Sequence, residues 1–259
     1  MKFEYCYMCD EKAVSKEHVP PKCIFPEQKD VAGENHRKDL ITVPSCEVHN
    51  SSKSKDDEFL LVSLAGIFGN NSIGYRHKFS KVDRAIRRSS MRLIDKAFTK
   101  KKHYLIRTEN NDFLEVIWGT PDHIRLNRCF EHIAYGLYLK NFNHKFSGEV
   151  KVLLGYLHNT DVSNNNFVQF IKDRAQIDLS GIPKQGENPE VFYYQFSEPD
   201  QFGIYLLYLR FYGGIDIYIS MMPNGIEKPL HLGFELMKIG VPVTLTLGDK
   251  TYLVNLKNN

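Results

Sequence analysis

Leu40-Ile41-Thr42-Val43-Pro44-Ser45-Cys46-Glu47-Val48-His49-Asn50-Ser51-Ser52-Lys53-Ser54 is where a short β-prone run meets the start of a helix. Leu40 to Val43 favours a strand, and Pro44 is expected to close it. A helical region is predicted from about Ser45 through Phe59-Leu60-Leu61-Val62 to Gly69-Asn70. The junction carries Cys46-x2-His49, and Cys6-x2-Cys9 stands upstream. Two such pairs have the ligand spacing of a tetrahedral structural zinc. The competing reading, cysteines packed as small apolar residues beside a surface His49, requires two correctly spaced pairs to arise by accident. A zinc here ties the start of the chain to the helix and closes a loop rich in turn formers (Pro20-Pro21, Pro26, Gly33). Cys23 and Cys129 have no such partners and are expected to be structural. Five cysteines, an odd number, argue against a disulfide framework.

Between the two pairs lies Glu17-His18-Val19-Pro20-Pro21, and Asn50 follows the last zinc ligand. Phosphodiester hydrolysis needs a base for the attacking water and a cation for the charge that builds on the phosphate and leaving oxygen. A histidine with an ordinary pKa of about 6.5 can take that proton at neutral pH. Adjacent side chains on a strand face opposite ways, so a bend or bulge is expected if Glu17 is to reach a metal while His18 addresses the water. Asn50 adds a neutral oxygen. One carboxylate and one amide leave positions for water and phosphate, which suits a hard ion, Mg²⁺ or Mn²⁺. The other histidines, among them His77, His103, His123, His132, His144 and His158, lack metal-ligand spacing, and an ordinary surface or core role is expected for each.

The order Cys-x2-Cys, acid-His, Cys-x2-His-Asn, extended by Lys53 and Ser54, resembles the zinc-bearing branch of the HNH (His-Me finger, ββα-metal) endonuclease superfamily. Phage Holliday-junction resolvases of this class show a similar acid-His and Asn arrangement. The resemblance covers roughly the first sixty residues. It implies His18 as general base, Glu17 and Asn50 as ligands of a catalytic divalent ion, and a 5′-phosphate product. The family's middle Asn, which orients the base, has no clear counterpart; Asp39 is the nearest candidate.

Charge is unevenly spread. Residues 61–110 carry 12 Lys/Arg against 3 Asp/Glu, whereas residues 1–60 carry 9 against 12. A helix predicted from about Val82 to Lys102 presents Arg84, Arg87, Arg88, Arg92 and Lys96, followed by Lys100 to Lys102. A single-signed face of this kind points to a polyanion, here DNA, held by contacts that position without reading sequence. Lys53 joins the candidate nucleic-acid contacts. Beyond residue 111 the pattern is strand-rich, with a helix from Asp122 to Phe142 and a final hairpin across Gly248-Asp249. Its aromatic strands read as core, and no Gly-x4-Gly-Lys-Ser/Thr loop marks an ATPase.

The expected fold class is α+β: an HNH module over residues 1–70, a basic helical DNA-contacting segment over 71–110, and a regulatory or partner-docking α+β domain over 111–259. A regulatory protein partner or homo-oligomer is the expected company of that domain. No apolar run of about 18 residues suggests a membrane span, and the charged N-terminus does not resemble a signal peptide, so a cytoplasmic protein is expected. The leading expectation is a DNA endonuclease, with restriction or anti-phage defence as its setting. The alternative is a non-catalytic, zinc-dependent nucleic-acid- or protein-binding subunit.

Overall fold

The computed structural model describes residues 4–31, 33, 35–51, 54–107, 113–157, 162–226 and 230–255. It is a mixed α+β fold that divides into two compact units. The first takes in residues 1–146, 186–193 and 211–215, and the second residues 147–185, 194–210 and 216–259. The segment expected at 111–259 is therefore shared between them.

In the first unit, β1 (Ser15–His18) and β2 (Thr42–Ser45) pair antiparallel, with Glu17 opposite Val43 and His18 opposite Thr42. Pro44 does not close β2; it lies inside the strand, opposite Lys16. Its carbonyl accepts from Tyr7 N (2.9 Å), on the side away from β1, so the missing N–H removes no bond between the strands. The long loop after β1 is broken by short 3₁₀ turns at Lys22–Ile24 and Gln28–Asp30. Helices α1 (Glu47–Ser51) and α2 (Ser54–Ala65) follow. In the second half of α2, Phe59 to Ala65 are all buried, as a stretch apolar on nearly every side must be. It packs against the 22–24 turn and two later helices, α5 and α6, whose ranges follow.

The basic helix expected from Val82 to Lys102 is shorter and interrupted. Helix α3 (Ser72–His77) runs through a π-helical turn, Lys78–Val82, into α4 (Asp83–Arg88). Ser90 and Met91 then both take left-handed φ angles, 52° and 67°, which stops the helix. It resumes only as α5 (Arg92–Ala97), and residues 98–102 belong to strand β3 (Phe98–Arg107). Pairing with β4 (Phe113–Pro121) takes up Lys102, opposite Trp118, while Lys100 and Lys101 fall in a break of register where Lys100 has a left-handed φ of 48°.

Helix α6 (His123–Phe142) closes the unit, capped by the Asp122 side chain, which accepts from Arg125 N (3.0 Å). Leu126, Phe130, Ile133 and Leu137 form its fully buried stripe. It packs against β2 and α2. At Gly136 it comes so near the end of β1 that a Cβ would lie 2.7 Å from Val19 Cγ2, an approach open only to glycine.

The second unit is built on a sheet of order β5-β9-β8-β7-β6. Its strands are β5 (Gly148–Leu154), β6 (Gln185–Asn188), β7 (Phe192–Phe196), β8 (Tyr205–Phe211) and β9 (Ile215–Pro223), and the strand ends within 186–193 and 211–215 count with the first unit. Ile217, Ile219 and Met221 alternate into its core, and Tyr194, Tyr208 and Tyr218 are buried, in line with a core role. Helices α7 (Val162–Asp178) and α8 (Leu230–Lys238) have no counterpart among the elements expected from sequence. The final hairpin, β10 (Val243–Leu247) with β11 (Lys250–Val254), turns at Gly248-Asp249 as expected.

Candidate metal centre and active site

The first ligand pair sits on a tight knuckle. Cys6 N donates to Glu11 O (2.8 Å), and Met8 N points at Cys6 Sγ (3.4 Å). Burial opposes ionisation of Cys6, but backbone N–H groups, Met8's foremost, outweigh it and hold the thiol below its ordinary pKa. Lys145, just past α6, clasps the knuckle by donating to Cys9 O (3.2 Å) and pairing with Asp10. The second pair spans the end of β2 and α1, which brings Cys46 and His49 alongside.

The four ligand atoms lie within 4.8 Å of one another. His49 Nδ1 is 3.4 Å from Cys6 Sγ, 3.5 Å from Cys9 Sγ and 3.2 Å from Cys46 Sγ, and the Cys9 and Cys46 sulfurs are 3.8 Å apart. A tetrahedral zinc with its usual bond lengths sets sulfurs about 3.8 Å apart and sulfur and nitrogen about 3.6 Å apart. A disulfide would need sulfurs at about 2.05 Å. The cluster therefore has the size and donor set of a zinc site. Cys23 and Cys129 stand outside it, with their sulfurs on the Asp57 and Asp56 carbonyls (3.3 and 4.0 Å).

Glu17 and His18 end β1. The pairing with β2 is regular from Ser15 to His18 and continues as Val19 N to Ile41 O (3.0 Å), so the expected bend or bulge is not there. Glu17, 6 % exposed, thus shares a face with Ser15, and the half-buried His18 takes the other. Burial and then the Lys22 ammonium lower the His18 pKa; Glu17 pulls it up and Arg37 pushes it down further. The imidazole is neutral at pH 7 and able to accept a proton.

Asn50 is held in α1 by its own N–H on Cys46 O (3.1 Å), so cluster residue and amide share one helical turn. Its Nδ2 donates to Ser15 Oγ (2.9 Å). This places Asn50 on the Glu17 face of β1. The candidate orienting acid, Asp39, has a left-handed φ of 49°, is largely exposed, and lies 4.0 Å from Lys38 Nζ.

The candidate nucleic-acid contacts are more mixed. Lys53 lies outside the described residues. Arg84 pairs with the buried Asp30 (2.6 Å), so part of its charge serves the fold. Arg88 Nε donates to Arg84 O (3.3 Å) and Arg92 Nε to Ser89 O (3.0 Å). Arg84, Arg87 and Arg88 share one exposed face of α4, and Arg92 and Lys96 one exposed face of α5.

Sequence reasoning missed Ser15, Lys22, Arg37 and Lys145. Ser15 had a signal, since it sits two residues before Glu17 on the same strand face. Lys145 had none, because only the fold brings residue 145 beside residue 9. Among the described residues, no helix is long and apolar enough to cross a membrane. Comparison with protein-family models, curated proteins and solved structures found no match to this chain.

Proposed function

We propose that this protein is a metal-dependent DNA endonuclease of the HNH class. One observation carries the reading: Asn50, the residue after the last cluster ligand, is anchored to the strand that bears Glu17 and His18. The proposed acid and base thus lie on one strand of a two-stranded hairpin, and the amide on the helix that follows it. The cluster of Cys6, Cys9, Cys46 and His49 holds zinc as a structural staple. Glu17 and Asn50 would hold a Mg²⁺ or Mn²⁺ ion, which stabilises charge on the phosphate and leaving oxygen when bound. Their oxygen donors suit a hard cation.

His18 accepts the proton of the attacking water. Lys22 adds positive charge beside His18, where a phosphate would be attracted, whereas Arg37 is paired with Glu27 (3.2 Å). The exposed arginines of α4 and α5 hold the DNA backbone.

The regular strand also favours a second reading. Without a bulge, Glu17 and His18 stay on separate faces, as a non-catalytic zinc-dependent binding subunit would allow. A supercoiled-plasmid nicking assay separates the two. Cleavage is expected with Mg²⁺ or Mn²⁺ and not with EDTA. His18→Ala should keep its zinc and its DNA affinity while cleavage falls by a factor on the order of 10²–10⁴. DNA binding without cleavage under every metal tried, or an unimpaired His18→Ala, overturns the nuclease reading.

A further inference from the structure

Asn50 can serve a cation only through Oδ1, and an unrestrained amide presents its NH₂ group as readily. Ser15 removes that freedom. Its hydroxyl proton is engaged on the Ser45 carbonyl (3.2 Å), which can only accept and which also takes Val14 N (3.0 Å) on its second lone pair. With its proton committed, Ser15 Oγ meets Asn50 as an acceptor, and only the NH₂ end of the amide can answer it (2.9 Å). Oδ1 is then turned away from Ser15. The relay runs from the wholly buried Ser45 through a strand hydroxyl to an exposed helix residue, so its fixed end lies in the core.

We infer that Ser15 is a positioning residue: its hydroxyl locks the Asn50 amide with Oδ1 as the free, metal-directed oxygen. The inference rests on the proposed nuclease reading, in which Glu17 and Asn50 hold the divalent ion. Ser15 touches neither metal nor substrate and acts only through Asn50. Hydrogen bonds of this kind, behind a metal ligand, typically govern affinity by 10–100-fold.

The test measures Mn²⁺ binding to the zinc-loaded full chain by the loss of the free-ion electron paramagnetic resonance signal, with no cleavage involved. Ser15→Ala should weaken Mn²⁺ binding by about 10–100-fold, while zinc content and melting temperature stay near wild type. Ser15→Thr keeps the hydroxyl on a residue suited to a strand, and should restore near-normal binding. In an Asn50→Ala background, Ser15→Ala should cost nothing further, since the two act as one unit. Unchanged Mn²⁺ affinity in Ser15→Ala overturns the inference and leaves the metal site standing. So does a full loss that persists when Asn50 is already alanine. If the wild type binds no Mn²⁺ beyond its zinc, or binds it equally well without Asn50, both the metal-site reading and this inference fail.

Discussion

His77 shows how a single buried group sets a pH limit on the fold. The Tyr212 hydroxyl donates to Ile24 O (2.5 Å), so it accepts from His77 Nδ1 (3.1 Å), and the ring's lone pair falls on Nε2. That nitrogen is fully buried and has no hydrogen-bond partner among the described residues. Burial, with Lys81 and Arg37 adding to it, brings the His77 pKa down to about 4 against the pull of Asp30 and Glu27. The unfolded chain takes up a proton at about 6.5, so this histidine stabilises the fold fully above that pH and progressively less below it. About 2 kcal/mol should be gone by pH 5, and the remainder as pH passes through 4. Urea titrations of wild type and His77→Asn at pH 7 and pH 5 check this. Asparagine can still donate to Tyr212 but does not titrate, so it should lower stability at pH 7 and flatten the dependence. An equal slope in both proteins would place the sensitive group elsewhere.

Elements differ in how much of themselves they disclose in sequence. The Cys/His ligand pairs were legible because each is local: two residues on one tight turn, at a spacing that geometry dictates. The β1–β2 hairpin was half legible, since its residue types were plain but the place of Pro44 depends on which edge faces Tyr7. The basic segment misled, because lysine favours a helix and nothing local announces the left-handed pair at Ser90 and Met91. Pairing of residues 98–107 with residues 113–121 decides that stretch, and pairing is tertiary information. Helix α7 was illegible for a related reason: Asn164-Asn165-Asn166 are weak helix formers that packing overrides. The break between α4 and α5 leaves their arginines exposed, so the proposed DNA contact would be made by two short helices rather than one. Reversing Arg87, Arg88 and Arg92 together spares Arg84 and its pair with Asp30. Affinity should drop alike for all sequences, and the slope of log K against log salt should shrink by about 0.9 for each phosphate no longer neutralised. Fluorescence anisotropy over a salt series reads both quantities. Binding with an unchanged slope would mean that these arginines face something other than a polyanion.

At the scale of the whole molecule, the Cys/His cluster with its proposed zinc and the path of the chain together predict one unfolding behaviour. The four ligands pin residues 6–9 to residues 46–49, across a segment that contributes Val19, Ile24, Phe25, Val31 and Val43 to the core. Structural zinc contributes an apparent ~10–16 kcal/mol in small domains, as much as or more than the ~5–15 kcal/mol that separates a typical fold from its unfolded state. Loss of the ion should therefore undo the first unit rather than loosen it. Residues 186–193 and 211–215 belong to that unit, yet in sequence they interrupt the second one. Those stretches carry ends of β6, β7, β8 and β9, so their release should loosen the second unit's sheet as well. Removing zinc with a chelator, or replacing Cys9 with Ser, should consequently bring down both units together. Calorimetry should show a single transition at a lower temperature, with the far-UV and near-UV dichroism signals falling in step. Chelation that leaves a second transition at its original temperature would mean that the two units are energetically independent. Well-folded protein that contains no zinc at all would remove the staple from this account.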